Sequence, residues 1–134
     1  MKKKEVLVKR KTGKGTEAVT VFEGFMDFLS ALTYYQKEMT SPVIVLNSVA
    51  MKDRALCTIR EMQVKGVYLY LDRDQSSREL TERFKKVLEG IAVTDQSDLY
   101  AGHKDFNAWL MESLKNPSSF SFHSQHVLGV SFEI

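Results

Sequence analysis

Cysteine is almost missing from this chain, and proline is scarce: one Cys and two Pro in 134 residues. A lone thiol, Cys57, cannot close an internal disulfide, so a reducing, cytoplasmic setting is expected. No run of eighteen apolar residues occurs, and the lysine-headed start leads into Glu5, Lys9 and Arg10 without an apolar signal region. Neither a membrane span nor a secretory signal is therefore expected. Internal repeats, low-complexity tracts and long linkers are missing too, which argues against a solenoid or several separate domains.

What is present is ordinary globular composition, 43% apolar and 27% charged, at a length that suits one compact domain. The formal net charge of +2 conceals an uneven distribution. Seven of the 19 Lys and Arg lie in residues 1–14 beside one of the 17 acids, leaving twelve basic against sixteen acidic residues elsewhere. A basic arm thus precedes a mildly acidic body. Such an arm suits phosphate contact or serves as plain solubilising surface.

Two periodicities alternate along the chain. Val6-Leu7-Val8 is a short apolar run, and Ala18 to Phe22 reads as a β-branched strand; the two are expected to form a hairpin across the glycine-containing stretch 11–15. From Phe25 the period becomes helical, with Phe25, Phe28, Leu29, Leu32 and Tyr35 on one face. Ser41-Pro42 breaks the chain, and Val43 to Leu46 has the length of a buried strand. Ala55, Leu56, Ile59 and Met62 mark a second helix, closed by Gly66, with Cys57 expected in the core among them. Val67 to Leu71 is the next strand. Leu80, Phe84, Val87 and Leu88 mark a third helix that stops at Gly90, and Ile91-Ala92-Val93 is a weaker strand. Phe106, Trp109, Leu110 and Leu114 mark a fourth helix, ended by Asn116-Pro117, and Val127 to Phe132 suits a last edge strand.

Continuous apolar strands joined by helices predict an α/β fold: a mostly parallel sheet of about four strands, helices on both faces. Residues 1–17 form the arm, 18–115 the domain and 116–134 a tail. In such sheets ligands bind beyond the carboxyl ends of the strands, where strand order reverses. Acids gather at those positions. Glu23 follows the first long strand, Asp72 and Asp74 the third, Asp95 and Asp98 the weak one, and Asp105 opens the last helix. Any one of them has an ordinary role as a helix cap. Together, an Asp-x-Asp and a Glu at neighbouring strand ends would repel one another unless a hard cation sits among them, and Mg²⁺ (or Mn²⁺ in its place) is the physical solution.

Other candidates are weaker. Ser76-Ser77 reads as a helix cap rather than a nucleophile. His123 and His126 have a metal-like spacing without a second pair, and Thr12 to Thr16 lacks the spacing of a phosphate loop.

These residues carry a resemblance. Val21-Phe22-Glu23-Gly24-Phe25-Met26-Asp27 resembles the first signature of the Toprim domain, shared by bacterial primases, topoisomerases and some nucleases. Leu46 to Ala50 is similar to the turn after that family's second strand, and Leu69 to Asp74 followed by Ser76-Ser77-Arg78 to its Asp-x-Asp signature. His103-Lys104-Asp105-Phe106-Asn107 resembles the late Lys-Asp-x-Asn element of primase-like members on plasmids, phages and conjugative elements. The matches come in family order across roughly residues 19–112.

The resemblance implies a Toprim-like, Rossmann-like fold. It implies that Asp72 and Asp74 are paired magnesium ligands and that Glu23 is a ligand or the general acid/base. Asp27, Lys104, Asp105 and Asn107 would support the site, and Arg73 and Arg78 would contact phosphate. The activity implied is primase-like nucleotidyl transfer in DNA replication or mobile-element transfer. Its partners would be a single-stranded DNA template or other nucleic acid and replication or helicase proteins. A phosphodiester-hydrolysing nuclease and a non-catalytic α/β nucleic-acid-binding module are the alternatives; a receiver-like domain fits Glu23-Gly24 poorly.

Overall fold

The computed structural model describes residues 7–9, 17–36 and 41–116. The strands are β1 (Leu7–Lys9), β2 (Ala18–Phe22), β3 (Val43–Val45), β4 (Gly66–Tyr70) and β5 (Ala92–Asp95). The helices are α1 (Phe25–Tyr35), α2 (Lys52–Met62), α3 (Gln75–Val87) and α4 (Phe106–Lys115). Among the described residues they build one five-stranded sheet in the order β1-β3-β2-β4-β5. The four strands from β2 to β5 run parallel, as their apolar character and helical connections require.

The expected hairpin does not form. β1 pairs antiparallel with β3, Val8 opposite Ile44, and lies at the edge of the sheet. In the sheet β3 stands between β1 and β2, so proximity in sequence did not dictate pairing. The 11–15 stretch, His123, His126 and the expected strand at 127–132 lie outside the described residues.

Alternation along the strands divides the core between two faces. Val19 and Val21 of β2, Ile44 of β3 and Val67 and Leu69 of β4 meet Ala55, Leu56 and Ile59 of α2 and Leu80 and Phe84 of α3. Phe22, Val43, Val45 and Tyr70 point the other way, to Ala31, Tyr34 and Tyr35 of α1 and Phe106 and Leu110 of α4. Phe22 stacks on Tyr70 at 4.9 Å between ring centroids, and Phe106 packs edge-on against Tyr70 at 5.8 Å. Truncating Phe106 to alanine is expected to lower stability by about 3–5 kcal/mol, read as an earlier midpoint in urea unfolding.

Three local expectations are corrected. Phe25 and Leu29 of α1 are exposed, while Asp27 and Ser30 are buried beside Ala31, Tyr34 and Tyr35. The helix is rotated because Asp27 and Ser30 both bond to Asn107 of α4. Cys57 is exposed rather than core: the inward stripe of α2 is Ala55, Leu56 and Ile59, and Cys57 falls outside it. Gly66 does not close α2; the helix ends on Gln63 in the left-handed conformation (φ 55°), and Gly66 is the first residue of β4.

The order of the strands fixes where a ligand sits. From β2 the chain passes by way of α1 to β3 on one side, and from β4 by way of α3 to β5 on the other. The reversal therefore lies beyond the carboxyl ends of adjacent β2 and β4, whose last residues Phe22 and Tyr70 are in register.

Candidate metal centre

Glu23 is the first residue after β2, and its backbone N–H donates to the Tyr70 carbonyl at 3.2 Å. The strand ends are stitched a second time through its side chain. Glu23 Oε1 accepts from the Asp72 backbone N–H at 2.8 Å and from the Ser77 hydroxyl at 2.8 Å. Glu23 and the Asp72/Asp74 pair thus share one rim. Asp74 is the N-cap of α3: its Oδ1 accepts from Ser77 N–H at 2.8 Å, and this bond holds its carboxyl below the usual range. The cap expected at Ser76-Ser77 is therefore Asp74 instead, because an aspartate three residues ahead reaches the free N–H, and the Ser77 hydroxyl is left for Glu23.

Among the described residues another trio of carboxylates gathers around Asp72. One oxygen each of Asp27, Asp72 and Asp105 lie within 4.8 Å of one another. Asp27 comes from the first turn of α1 and is only 4% exposed. Its Oδ1 accepts from Asn107 N–H at 3.0 Å, and Asn107 Oδ1 accepts from the Ser30 hydroxyl at 2.7 Å. Asp105 caps α4, accepting from Ala108 N–H at 2.8 Å. Helix α4 is thus pinned to α1 through the site itself.

The electrostatics follow from the geometry. Burial, then repulsion from Glu23, Asp27 and Asp105, raises the Asp72 carboxyl to about 7, against a smaller opposing pull from Lys104. Burial raises Asp27 to about 6, with repulsion from Asp105 and Glu23 adding to it and the Asn107 hydrogen bond opposing it. Carboxylates so placed repel one another, and the pull of Lys104 offsets that only in part. Their donor set is oxygen throughout, which fits a hard divalent cation and not a soft one.

The trio lines an open cleft of about 560 Å³, together with Glu23, Gly24, Phe25, Asn47, Ser48 and Asn107. Asn47 takes a left-handed backbone (φ 62°) as its N–H donates to the Glu23 carbonyl at 3.0 Å, which closes the loop after β3 over the cleft. Below the acids, the buried Tyr100 hydroxyl donates to the Leu71 carbonyl at 2.7 Å, next to Asp72. Replacing Tyr100 by phenylalanine is expected to lower stability by about 1–2 kcal/mol in denaturant unfolding, since it leaves that carbonyl unpaired.

Not every expected residue enters the cleft. Asp95 and Asp98 do not line it; with Asp72, Arg73, Ser77 and Arg78 they line a neighbouring crevice of about 170 Å³. Arg73 turns towards them, donating to the Ser97 carbonyl at 2.8 Å and standing 3.6 Å from Asp98. Lys104 is exposed; its carbonyl accepts from Arg73 N–H at 2.7 Å, and its charge lowers both Asp72 and Asp74. The sequence alone gives neither Ser77 nor Tyr100 a part in holding the site. Ser77 could have been found from its place three residues after Asp74; nothing local marks Tyr100.

A family profile described as Toprim-like matches residues 20–110. The chain belongs to the Toprim-like family. Among solved structures, the Toprim-like domain is similar to the primase fragment of the bacteriophage T7 primase-helicase protein, with a TM-score of 0.61 and 19% identity. That alignment covers 80% of this chain and 43% of the phage chain. It is also similar to a chain in the structure of the bacteriophage T7 lagging-strand DNA polymerase interacting with primase domains of two gp4 subunits bound to an RNA/DNA hybrid and dTTP. There the TM-score is 0.61 and the identity 20%, covering 90% of this chain and 57% of that one. At such identities the likeness establishes the fold, and the chain spans about half the length of these structural relatives. No curated protein matches the chain in sequence. Among the described residues, no helix is long and apolar enough to cross a membrane.

Proposed function

We propose that the Toprim-like domain is a Mg²⁺-dependent, primase-like module for nucleotidyl or phosphoryl transfer on nucleic acid, serving DNA replication or the transfer of a mobile element. The observation that carries the reading is the convergence of Asp27, Asp72 and Asp105 within 4.8 Å, beside Glu23, at the reversal of strand order. Asp72 sits at the centre, with Asp27 and Asp105 completing the oxygen set and Glu23 and Asp74 at its margin. Bound there, the ion would neutralise phosphate charge and act as a Lewis acid.

The chain's own groups do the rest. Asn107 holds Asp27, and the Ala108 N–H holds Asp105, so two ligands are oriented before any ion arrives. One oxygen of Glu23 is fixed by Asp72 N–H and Ser77, which leaves the carboxylate positioned to take a proton from an attacking hydroxyl. Lys104 and Arg78 bring positive charge to the rim of an acidic site that must admit an anionic substrate.

The test is primer synthesis from nucleoside triphosphates on a single-stranded DNA template, with and without Mg²⁺. Metal-dependent extension is expected, and chelator should abolish it. Template cleavage without nucleotide addition would favour the nuclease alternative. Metal-independent behaviour in both assays would overturn the proposal.

A further inference from the structure

The acids fill only part of the cleft. Among the described residues five large apolar side chains are exposed, and two of them, Phe25 (44% exposed) and Met26 (58%), line this cleft. Both stand on the first turn of α1, immediately ahead of Asp27. The Phe25 ring is backed rather than loose: its centroid is 6.0 Å from that of Phe28, which is 5.7 Å from the fully buried Phe22. The exposed ring is the outer end of an aromatic file rooted in the core. The same cleft is lined by Ser48, whose buried hydroxyl has no hydrogen-bond partner among the described residues, and by exposed Asn47. Leu46 and Leu80 complete its apolar lining.

A water-exposed aromatic and an unpartnered hydroxyl beside a cluster of carboxylates fit a ligand with two unlike ends. One end is anionic and reaches the acids through a cation; the other is flat, apolar and edged with hydrogen-bonding groups. Resting on the metal reading above, we infer that Phe25 is the base-stacking residue of the site. Its face receives the nucleobase of a nucleoside triphosphate, Met26 flanks the base, and Ser48 pairs with a polar group of the nucleoside. A rigidly backed ring suits this task because stacking surface that is already ordered loses little entropy on binding.

The test uses the full chain, isothermal calorimetry and excess Mg²⁺, with ATP and inorganic tripolyphosphate as paired probes. ATP is expected to bind roughly five- to a hundredfold more tightly than tripolyphosphate, the range that base–aromatic stacking supplies. Phe25→Ala should erase that advantage while leaving tripolyphosphate affinity unchanged, and Phe25→Tyr should keep it. Circular dichroism of both variants checks that the exposed position has not disturbed the fold. Equal binding of the two probes by the unaltered chain, or an ATP preference that survives Phe25→Ala, would overturn the stacking role alone. A single-stranded oligonucleotide whose binding alone depends on Phe25, with ATP unaffected, would overturn it in favour of a template seat. No binding of either probe would overturn this inference and the metal reading together.

Discussion

Asp72→Asn is expected to abolish Mg²⁺ binding and, with metal absent, to make the domain more stable rather than less. Both effects have one cause. Asp72 is the carboxylate most strongly raised, to about 7, by burial and by three neighbouring acids. An amide of the same shape removes the repulsion and leaves the packing, so in chelator at pH 8 the variant should gain about 1 kcal/mol. The loss in metal affinity should reach or exceed the roughly hundredfold known for removing mere supports of a metal ligand. Saturating Mg²⁺ should stabilise the unaltered chain through binding to the folded state alone, and the variant should show no such increment. Calorimetric titration with melting curves at matched metal concentrations reads both effects. Lower stability in chelator, or retained Mg²⁺ affinity, would remove Asp72 from the centre of the site.

The second large effect is on the pH dependence of the metal-free domain. Asp27 and Asp72 have folded pKa values of about 6 and about 7, against 3.8 for an ordinary aspartate carboxyl. Between these limits the folded chain holds protons that the unfolded chain has released, so stability must fall as pH rises through that window. From pH 5 to pH 8 in chelator the loss should be about 2 kcal/mol after discounting for solvent screening, or roughly 5–10 °C in Tm. Asp74 is shifted downward, so its contribution changes below the ordinary carboxylate range and does not cancel the trend. With Mg²⁺ the sign should reverse, because an ion held by the deprotonated carboxylates would release protons on binding. Melting curves across pH, with and without metal, would show the two slopes. A metal-free domain that grows more stable from pH 5 to pH 8 would contradict the crowding of these acids.

Much of the architecture was legible because its signals are local. The apolar runs at Ala18–Phe22, Val43–Leu46 and Val67–Leu71 have no polar side to offer water, so a parallel sheet buried on both faces was their natural state. The acids were legible for a related reason, since each one directly follows a strand or opens a helix. What the sequence hid depends on packing between distant elements. Asp27 reads as an ordinary first-turn acid until Asn107, eighty residues later, bonds to it and turns α1 so that Phe25 and Leu29 face outward. Asp105 joins Asp72 only because α4 docks on α1. The expected trio of Glu23, Asp72 and Asp74 stands along one rim, and the grouping within 4.8 Å brings Asp27 and Asp105 to Asp72 beside it. The β1 pairing was equally hidden, since three residues set no partner and the choice of β3 rests on sheet order.

The most direct measurement is a crystal structure of the full chain soaked in Mn²⁺, with the ion located by its anomalous scattering. The expected result is a peak between α1, the end of β4 and α4, with carboxylate oxygens of Asp27, Asp72 and Asp105 at about 2.0–2.3 Å. A peak only in the crevice of Asp95 and Asp98, or none at millimolar Mn²⁺, would contradict the assignment of this cleft as a metal centre.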